Sequence, residues 1–234
     1  MATEIDWPSF SAVLFDLDGV ITPTAEMHHR AWASTLGDHG FSTDDYLRHI
    51  DGRPRLDGVR TFLASRGIRL PEGHVDDAPG DGTVAAIGNR KDAEFRLLLV
   101  TEGIEPYPGT VRLLDLLERE GVPAAVVTSS RNATSVLGAA GLGDRFPVVV
   151  DGVVAAGRGL AGKPDPATFL AAAASLGVDP ADVAVIEDAE SGVTAGVRGG
   201  FVLVVGVDRT GNARALRAAG AHVVVRDLAE TLPA

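Results

Sequence analysis

The sequence contains no cysteine, and only 5% of its residues are aromatic. The first absence removes disulfides, a thiol nucleophile and any cysteine metal site. Positive charge is also short: 21 Lys and Arg stand against 32 Asp and Glu, a formal net charge of −11. That deficit argues against nucleic acid as a partner, because gripping a phosphate backbone needs a basic footprint. It leaves room for a small anionic substrate held by a few local Lys and Arg residues. No apolar run approaches the roughly 18 residues that span a bilayer. The first residues, with Glu4, Asp6 and Pro8, lack a basic and then apolar secretory pattern. A soluble, cytoplasmic protein with no membrane partner is the expectation.

What the chain does contain is an even spread of apolar residues, 45% of the total, rich in Ala, Val and Gly. That composition suits α/β layers with close helix–sheet packing. The stretch Ala12–Thr22 begins as a short buried strand and ends in Asp16-Leu17-Asp18-Gly19. From about Pro23 to Pro106 no strand is expected, only helical patterns. Ala25–Leu36 has His28, Trp32 and Leu36 on one face. Thr43–His49 follows Ser42 as N-cap, and Leu56–Arg66 and Thr83–Thr101 flank a Pro- and Gly-rich loop at Pro71–Gly82. Phe95, Leu98 and Leu99 are the expected buried residues of the last helix. Beyond Gly109, helices alternate with apolar runs at Val122–Val127, Val148–Val150, Val183–Ile186, Val202–Val205 and His222–Val225. A Gly-rich passage after Val150 reads as loop as far as Lys163, and Asp165-Pro166 reads as a helix start. Such alternation calls for a parallel sheet covered by helices on both faces. The predicted organisation is a discontinuous core, residues 1–22 and 108–234, with an all-helical block at 23–107.

Polar residues follow three apolar runs: Asp16 and Asp18, then Thr128, then Glu187 and Asp188, with Lys163 in a Pro-flanked loop. Taken singly, Lys163 is an exposed loop lysine, Thr128 a helix cap, and Glu187-Asp188 acids favoured before a helix. In a parallel sheet, however, these strand ends share one edge, where ligands bind. Together they supply hard oxygen ligands, a hydroxyl donor and one positive charge, a set suited to phosphoryl transfer. Asp16 is the candidate nucleophile, forming an aspartyl phosphate. Mg2+ is the expected cofactor, with Asp16, Asp188 and the carbonyl of Asp18 as ligands and Glu187 as ligand or support. Asp18 is the candidate acid and base, Thr128 a phosphoryl hydrogen-bond donor, and Lys163 the balancing charge.

With these four motifs in place, the sequence resembles the haloacid-dehalogenase-like superfamily of phosphotransferases, over essentially the whole chain. The resemblance implies a Rossmann-like core with a cap inserted after the first strand. The run Asp18-Gly19-Val20-Ile21-Thr22, with Thr24-Ala25-Glu26, His28 and Arg30-Ala31-Trp32, looks like the subgroup containing β-phosphoglucomutase. That likeness implies that His28 contacts Asp18 or a substrate hydroxyl, and that Arg55, after Gly52, binds a non-reacting phosphate. It places the cap lysine at Lys91, with Arg90 or the Asn89 backbone as alternatives. It also implies that Ser129, Ser130, Arg131 and Asn132 form a loop binding phosphate and sugar. Pro23 stands where the subgroup usually has an acid, and Arg53-Pro54 replaces small or apolar residues.

The activity these readings imply is a Mg2+-dependent sugar phosphomutase converting a hexose 1-phosphate to the 6-phosphate, acting as a monomer on a small sugar phosphate. The alternative is a sugar- or polyol-phosphate phosphatase using the same residues, with water as acceptor. A binding protein without activity would lack a catalytic residue, and none is missing.

Overall fold

Six short strands form one parallel sheet in the computed structural model of the chain, which describes residues 4–233. They are β1 (Ala12–Phe15), β2 (Ala124–Val127), β3 (Val148–Val150), β4 (Val183–Glu187), β5 (Leu203–Val207) and β6 (Val223–Val225). Their order across the sheet is β3-β2-β1-β4-β5-β6, and every neighbouring pair is parallel. The residues of β1, β2 and β4 are all buried. This is why their sequences are unbroken apolar runs, since a strand covered on both faces has no solvent side for polar residues. Phe15 pairs with Val126 on one side and Ile186 on the other, so the chain leaves β1, β2 and β4 at one level. The strand order turns back on itself at β1, the position where open α/β sheets form their ligand crevice.

The chain divides into two compact units, Met1–Pro23 with Glu105–Ala234, and Thr24–Ile104. The second is helical: α1 (Thr24–Leu36), a turn α2 (Thr43–Asp45) running into a π-helical turn at Tyr46–Ile50, α3 (Arg55–Ser65) and α4 (Val84–Glu102). Trp32 and Leu36 from α1, Val59, Phe62 and Leu63 from α3, and Val84 and Ile87 from α4 form its core. Phe95 and Leu99 are buried, whereas Leu98 is only half-buried, being one position off the inward stripe. Thr83 caps α4 by accepting the Ala86 N–H, and Ser42 and Asp45 form a reciprocal capping box.

The sheet unit carries α5 (Pro108–Glu120), α6 (Ala133–Ala139), α7 (Gly152–Arg158), α8 (Ala167–Leu176), α9 (Glu190–Arg198) and α10 (Ala213–Ala218). The passage after Val150 is not all loop. Asp151 accepts the N–H groups of Val153 and Val154, and Gly159 closes the resulting helix at φ 65°. The next helix begins at Ala167 rather than Pro166, with the Asp165 side chain accepting the Ala167 N–H. Among the described residues, no helix is long and apolar enough to cross a membrane.

Asp45 also accepts from Arg66 at 2.6 Å. Hydrogen bonds from Arg66 and then Ser42 hold its carboxyl well below the ordinary carboxylate range. A depressed folded pKa stabilises the fold above the unfolded value, near 4, and that contribution is lost as the pH falls through the folded value. Asp45→Ala is therefore expected to melt below wild type at neutral pH, with the gap narrowing as the pH drops below about 4. Thermal unfolding across pH 2–7 reads this, and a pH-independent gap would assign the loss to packing instead.

Candidate active site

The strand ends of the sheet unit converge on one ammonium group. Lys163 is 3% exposed, and its Nζ lies 2.5 Å from Asp16 Oδ1, 2.6 Å from Glu187 Oε1 and 2.9 Å from the Val127 carbonyl. Its three N–H donors thereby meet acceptors from the ends of β1, β2 and β4, and its Nζ sits 4.9 Å from the Phe169 ring centre. The Lys163–Pro164 peptide bond is cis. The lysine that would be an exposed loop residue on its own is thus buried at the sheet edge.

The remaining oxygen of Glu187 accepts the N–H groups of Asp188 and Ala189, each at 3.0 Å. Both of its oxygens are therefore engaged by donors. Burial lowers the Lys163 pKa, but Asp16 and Glu187 outweigh it, so the net shift is upward and the ammonium stays charged. Burial raises the Asp16 pKa; Lys163 pulls it down, and Glu187 and Asp18 add to the rise. The net shift of Asp16 is upward, with burial as its largest cause.

The second half of the site is the turn after β1. Asp18 Oδ2 accepts from the Thr128 hydroxyl at 3.4 Å, and Thr128 Oγ1 accepts the Ser130 N–H at 3.0 Å. Ser130 Oγ accepts the Asn132 N–H at 3.2 Å, and its carbonyl accepts the Gly152 N–H at 2.8 Å. A Cβ on Gly152 would lie 2.7 Å from the Ser129 carbonyl and 3.0 Å from Arg131 Cγ, so the bare glycine lets the Ser129–Asn132 turn approach. Gly19 holds φ +84°, and a Cβ there would fall 1.8 Å from Asp188 Oδ2. The Asp188 carboxylate therefore lies directly against the Asp18-Gly19 turn.

This donor set suits a hard cation. Among the described residues no three His, Asp or Glu side chains gather as a ready-made cage. Two carboxylates, Asp16 and Asp188, with the Asp18 carbonyl are what Mg2+ accepts, since it keeps several of its own waters.

The helical unit holds the other predicted residues in two groups. His28, on α1, stacks on Phe95 of α4 with ring centres 4.0 Å apart, and its Nδ1 meets Lys91 Nζ. Lys91 is buried, its ammonium 4.9 Å from the Phe95 ring and 5.3 Å from that of Trp32. Arg55, at the start of α3, pairs with Asp92 at 2.9 Å and donates to Asn89 Oδ1 at 3.1 Å. Of the alternatives to Lys91, Arg90 is bound to Asp81 and the Thr35 carbonyl, and the Asn89 backbone lies within α4, while its side-chain Nδ2 donates to the carbonyls of Val75 and Asp77. Sequence reasoning missed Asp92, which no motif marks, although its place beside Lys91 on α4 was a usable hint. It also missed Arg209 and Asn212, whose partners are main-chain carbonyls.

The sequence profile of the haloacid dehalogenase-like hydrolases matches residues 10–200. The chain belongs to that family. Within it, the chain is 46% identical to a β-phosphoglucomutase of Mycobacterium tuberculosis, over 94% of this chain and 91% of that protein. It is 32% identical to hexitol phosphatase A of Escherichia coli, over 80% and 78% of the two chains. A solved β-phosphoglucomutase from Clostridium difficile superposes with a TM-score of 0.77 at 25% identity, covering 94% of this chain and 92% of that one.

The ammonium at the sheet edge yields the first test of this family member's site. Lys163→Met leaves Asp16 and Glu187 buried without their counter-ion, and breaking a buried pair in this way costs about 3–5 kcal/mol. Denaturant unfolding should show that loss. A variant as stable as wild type would mean that the charge cluster does not support the fold.

Proposed function

We propose that the chain is a Mg2+-dependent β-phosphoglucomutase, converting β-glucose 1-phosphate to glucose 6-phosphate by way of a phosphoryl group carried on Asp16. The observation that carries this reading is the 46% identity to the mycobacterial β-phosphoglucomutase over nearly the full length of both chains. The cluster of Asp16, Asp18, Thr128, Lys163 and Asp188 supplies the chemistry.

A phosphorylated Asp16 gives its phosphoryl group to the C6 hydroxyl of the sugar, breaking the bond from Asp16 oxygen to phosphorus and forming one to O6. Asp18 takes the hydroxyl proton. The 1,6-bisphosphate turns over, and the freed Asp16 carboxylate attacks the C1 phosphorus. The bond from phosphorus to O1 breaks, and Asp18 returns its proton to O1. The covalent carrier splits the exchange of phosphate between O1 and O6 into two easier transfers. Lys163 holds Asp16 in place and offers positive charge beside the transferring group. Thr128 orients Asp18 and donates to a phosphoryl oxygen. Asp16, Asp188 and the Asp18 carbonyl would hold Mg2+, which when bound shields the anionic phosphate from the attacking carboxylate. Glu187, with both oxygens engaged, serves Lys163 rather than the cation.

In the helical unit, Arg55 takes the non-reacting phosphate, and His28 and Lys91 bind oxygens of the sugar. Ser129, Ser130, Arg131 and Asn132 receive phosphate and sugar oxygens. The enzyme is expected to act as a cytoplasmic monomer on a small sugar phosphate. A phosphatase reading is favoured by the 32% identity to hexitol phosphatase A, which would need only water in place of the C6 hydroxyl.

Incubation with β-glucose 1-phosphate and a catalytic amount of the 1,6-bisphosphate decides between them. Glucose 6-phosphate should form with little inorganic phosphate, and Asp16→Asn should lower the rate at least a thousandfold, roughly as expected when a nucleophile is lost. Stoichiometric phosphate release without isomer would make the protein a phosphatase.

A further inference from the structure

The loop from Asp208 to Asn212, between β5 and α10, carries none of the four motifs, yet its side chains hold the main chain of both acid-bearing turns. Arg209 Nε donates to the Gly19 carbonyl at 2.7 Å, and Nη1 donates to the Arg226 carbonyl at 2.8 Å. The same guanidinium lies 3.7 Å from Asp227 Oδ2, and its carbon is 3.6 Å above the Tyr107 ring centre. Asn212 Nδ2 donates to the Asp188 carbonyl at 3.1 Å, while the Asn212 N–H is fixed by Asp208 Oδ1 at 2.7 Å. One five-residue loop therefore grips Gly19 from one side and Asp188 from the other.

The need for such a grip follows from the turns themselves. Asp188 Oδ2 sits where a Cβ of Gly19 would be, so the two turns are in contact, and each carries a carboxylate that repels the other. Hydrogen bonds to the two carbonyls hold that arrangement without occupying any carboxylate oxygen. Tyr107 adds a second constraint: its N–H donates to the Ile21 carbonyl at 2.9 Å. Arg209 thus ties the outgoing chain at Gly19 to the returning chain at Tyr107. Only a planar fork can donate in two directions while lying flat on a ring.

We propose that Arg209 and Asn212 are positioning residues that set the approach of the Asp18-Gly19 turn to Asp188, and thereby the affinity of this site for Mg2+. The inference rests on the cation-binding part of the proposed function and is indifferent to whether the phosphoryl acceptor is sugar or water.

Calorimetric titration of Mg2+ into the intact protein tests it, with thermal unfolding of every variant in parallel. Arg209→Met and Asn212→Leu, neither of which adds negative charge, are each expected to raise the Mg2+ dissociation constant by roughly tenfold, the scale on which outer-shell partners act. In turnover, the lost kcat should return as Mg2+ is raised, with KM for the sugar phosphate unchanged. Arg209→Lys keeps the charge but not the fork, so it should resemble Arg209→Met. Full rescue by lysine would overturn positioning in favour of charge alone. Unchanged Mg2+ affinity in Asn212→Leu, folded as wild type, would overturn the inference even if Arg209→Met failed to fold. Wild-type protein that binds no Mg2+ would instead sink the metal reading of the site, and this inference with it.

Discussion

A buried ammonium between two carboxylates is the interaction on which the sheet unit depends. Lys163 draws Asp16 from β1, Glu187 from β4 and the last carbonyl of β2 to one point, so the three central strands end in register around it. Such an arrangement is a poor source of net stability, because taking three charged groups out of water costs about what their attraction returns. What it provides is definition. The carboxylate of Asp16 cannot swing away without leaving Lys163 half-satisfied, and Glu187 is pinned further by two N–H groups of its own chain.

The helical unit uses a different device. Its polar residues are embedded among aromatic rings: His28 lies flat on Phe95, and Lys91 faces both Phe95 and Trp32. The rings that make the core also hold the candidate substrate-binding groups, so packing and recognition are not separable here. Arg55 is held instead by charge and amide contacts from the next helix, where Gly88 lets Leu56 come close.

Much of this was legible in the sequence, for physical reasons that differ by element. The strands announced themselves because burial on both faces forces continuous apolar runs, as in Val183–Ile186. The helices of the inserted block showed their inward stripe, and His28, Trp32 and Leu36 are all buried. Acids placed just beyond strands are visible because parallel topology sends strand ends to one edge. α7 was not legible: Gly152, Gly157 and Gly159 mimic a loop, and its start depends on Asp151 turning back to Val153 and Val154. Nor was the engagement of Glu187 by three N–H donors, since ligand and support look alike as letters. Arg209 and Asn212 were invisible for a deeper reason. They reach the two acid-bearing turns through carbonyl groups, which every residue possesses, so no residue type in those turns betrays the contact.

The hydrogen bond from Tyr107 to Ile21 has a consequence for how this chain can change over generations. It places the exit and the return of the inserted block side by side on the sheet unit. A loop closed at its base in this way can grow at small entropic expense, since lengthening it about eightfold adds only about 2 kcal/mol. The block can therefore be rebuilt, enlarged or exchanged while the residues at the strand ends stay in register. The strand-end acids and the lysine are thereby insulated from changes in the length of the block.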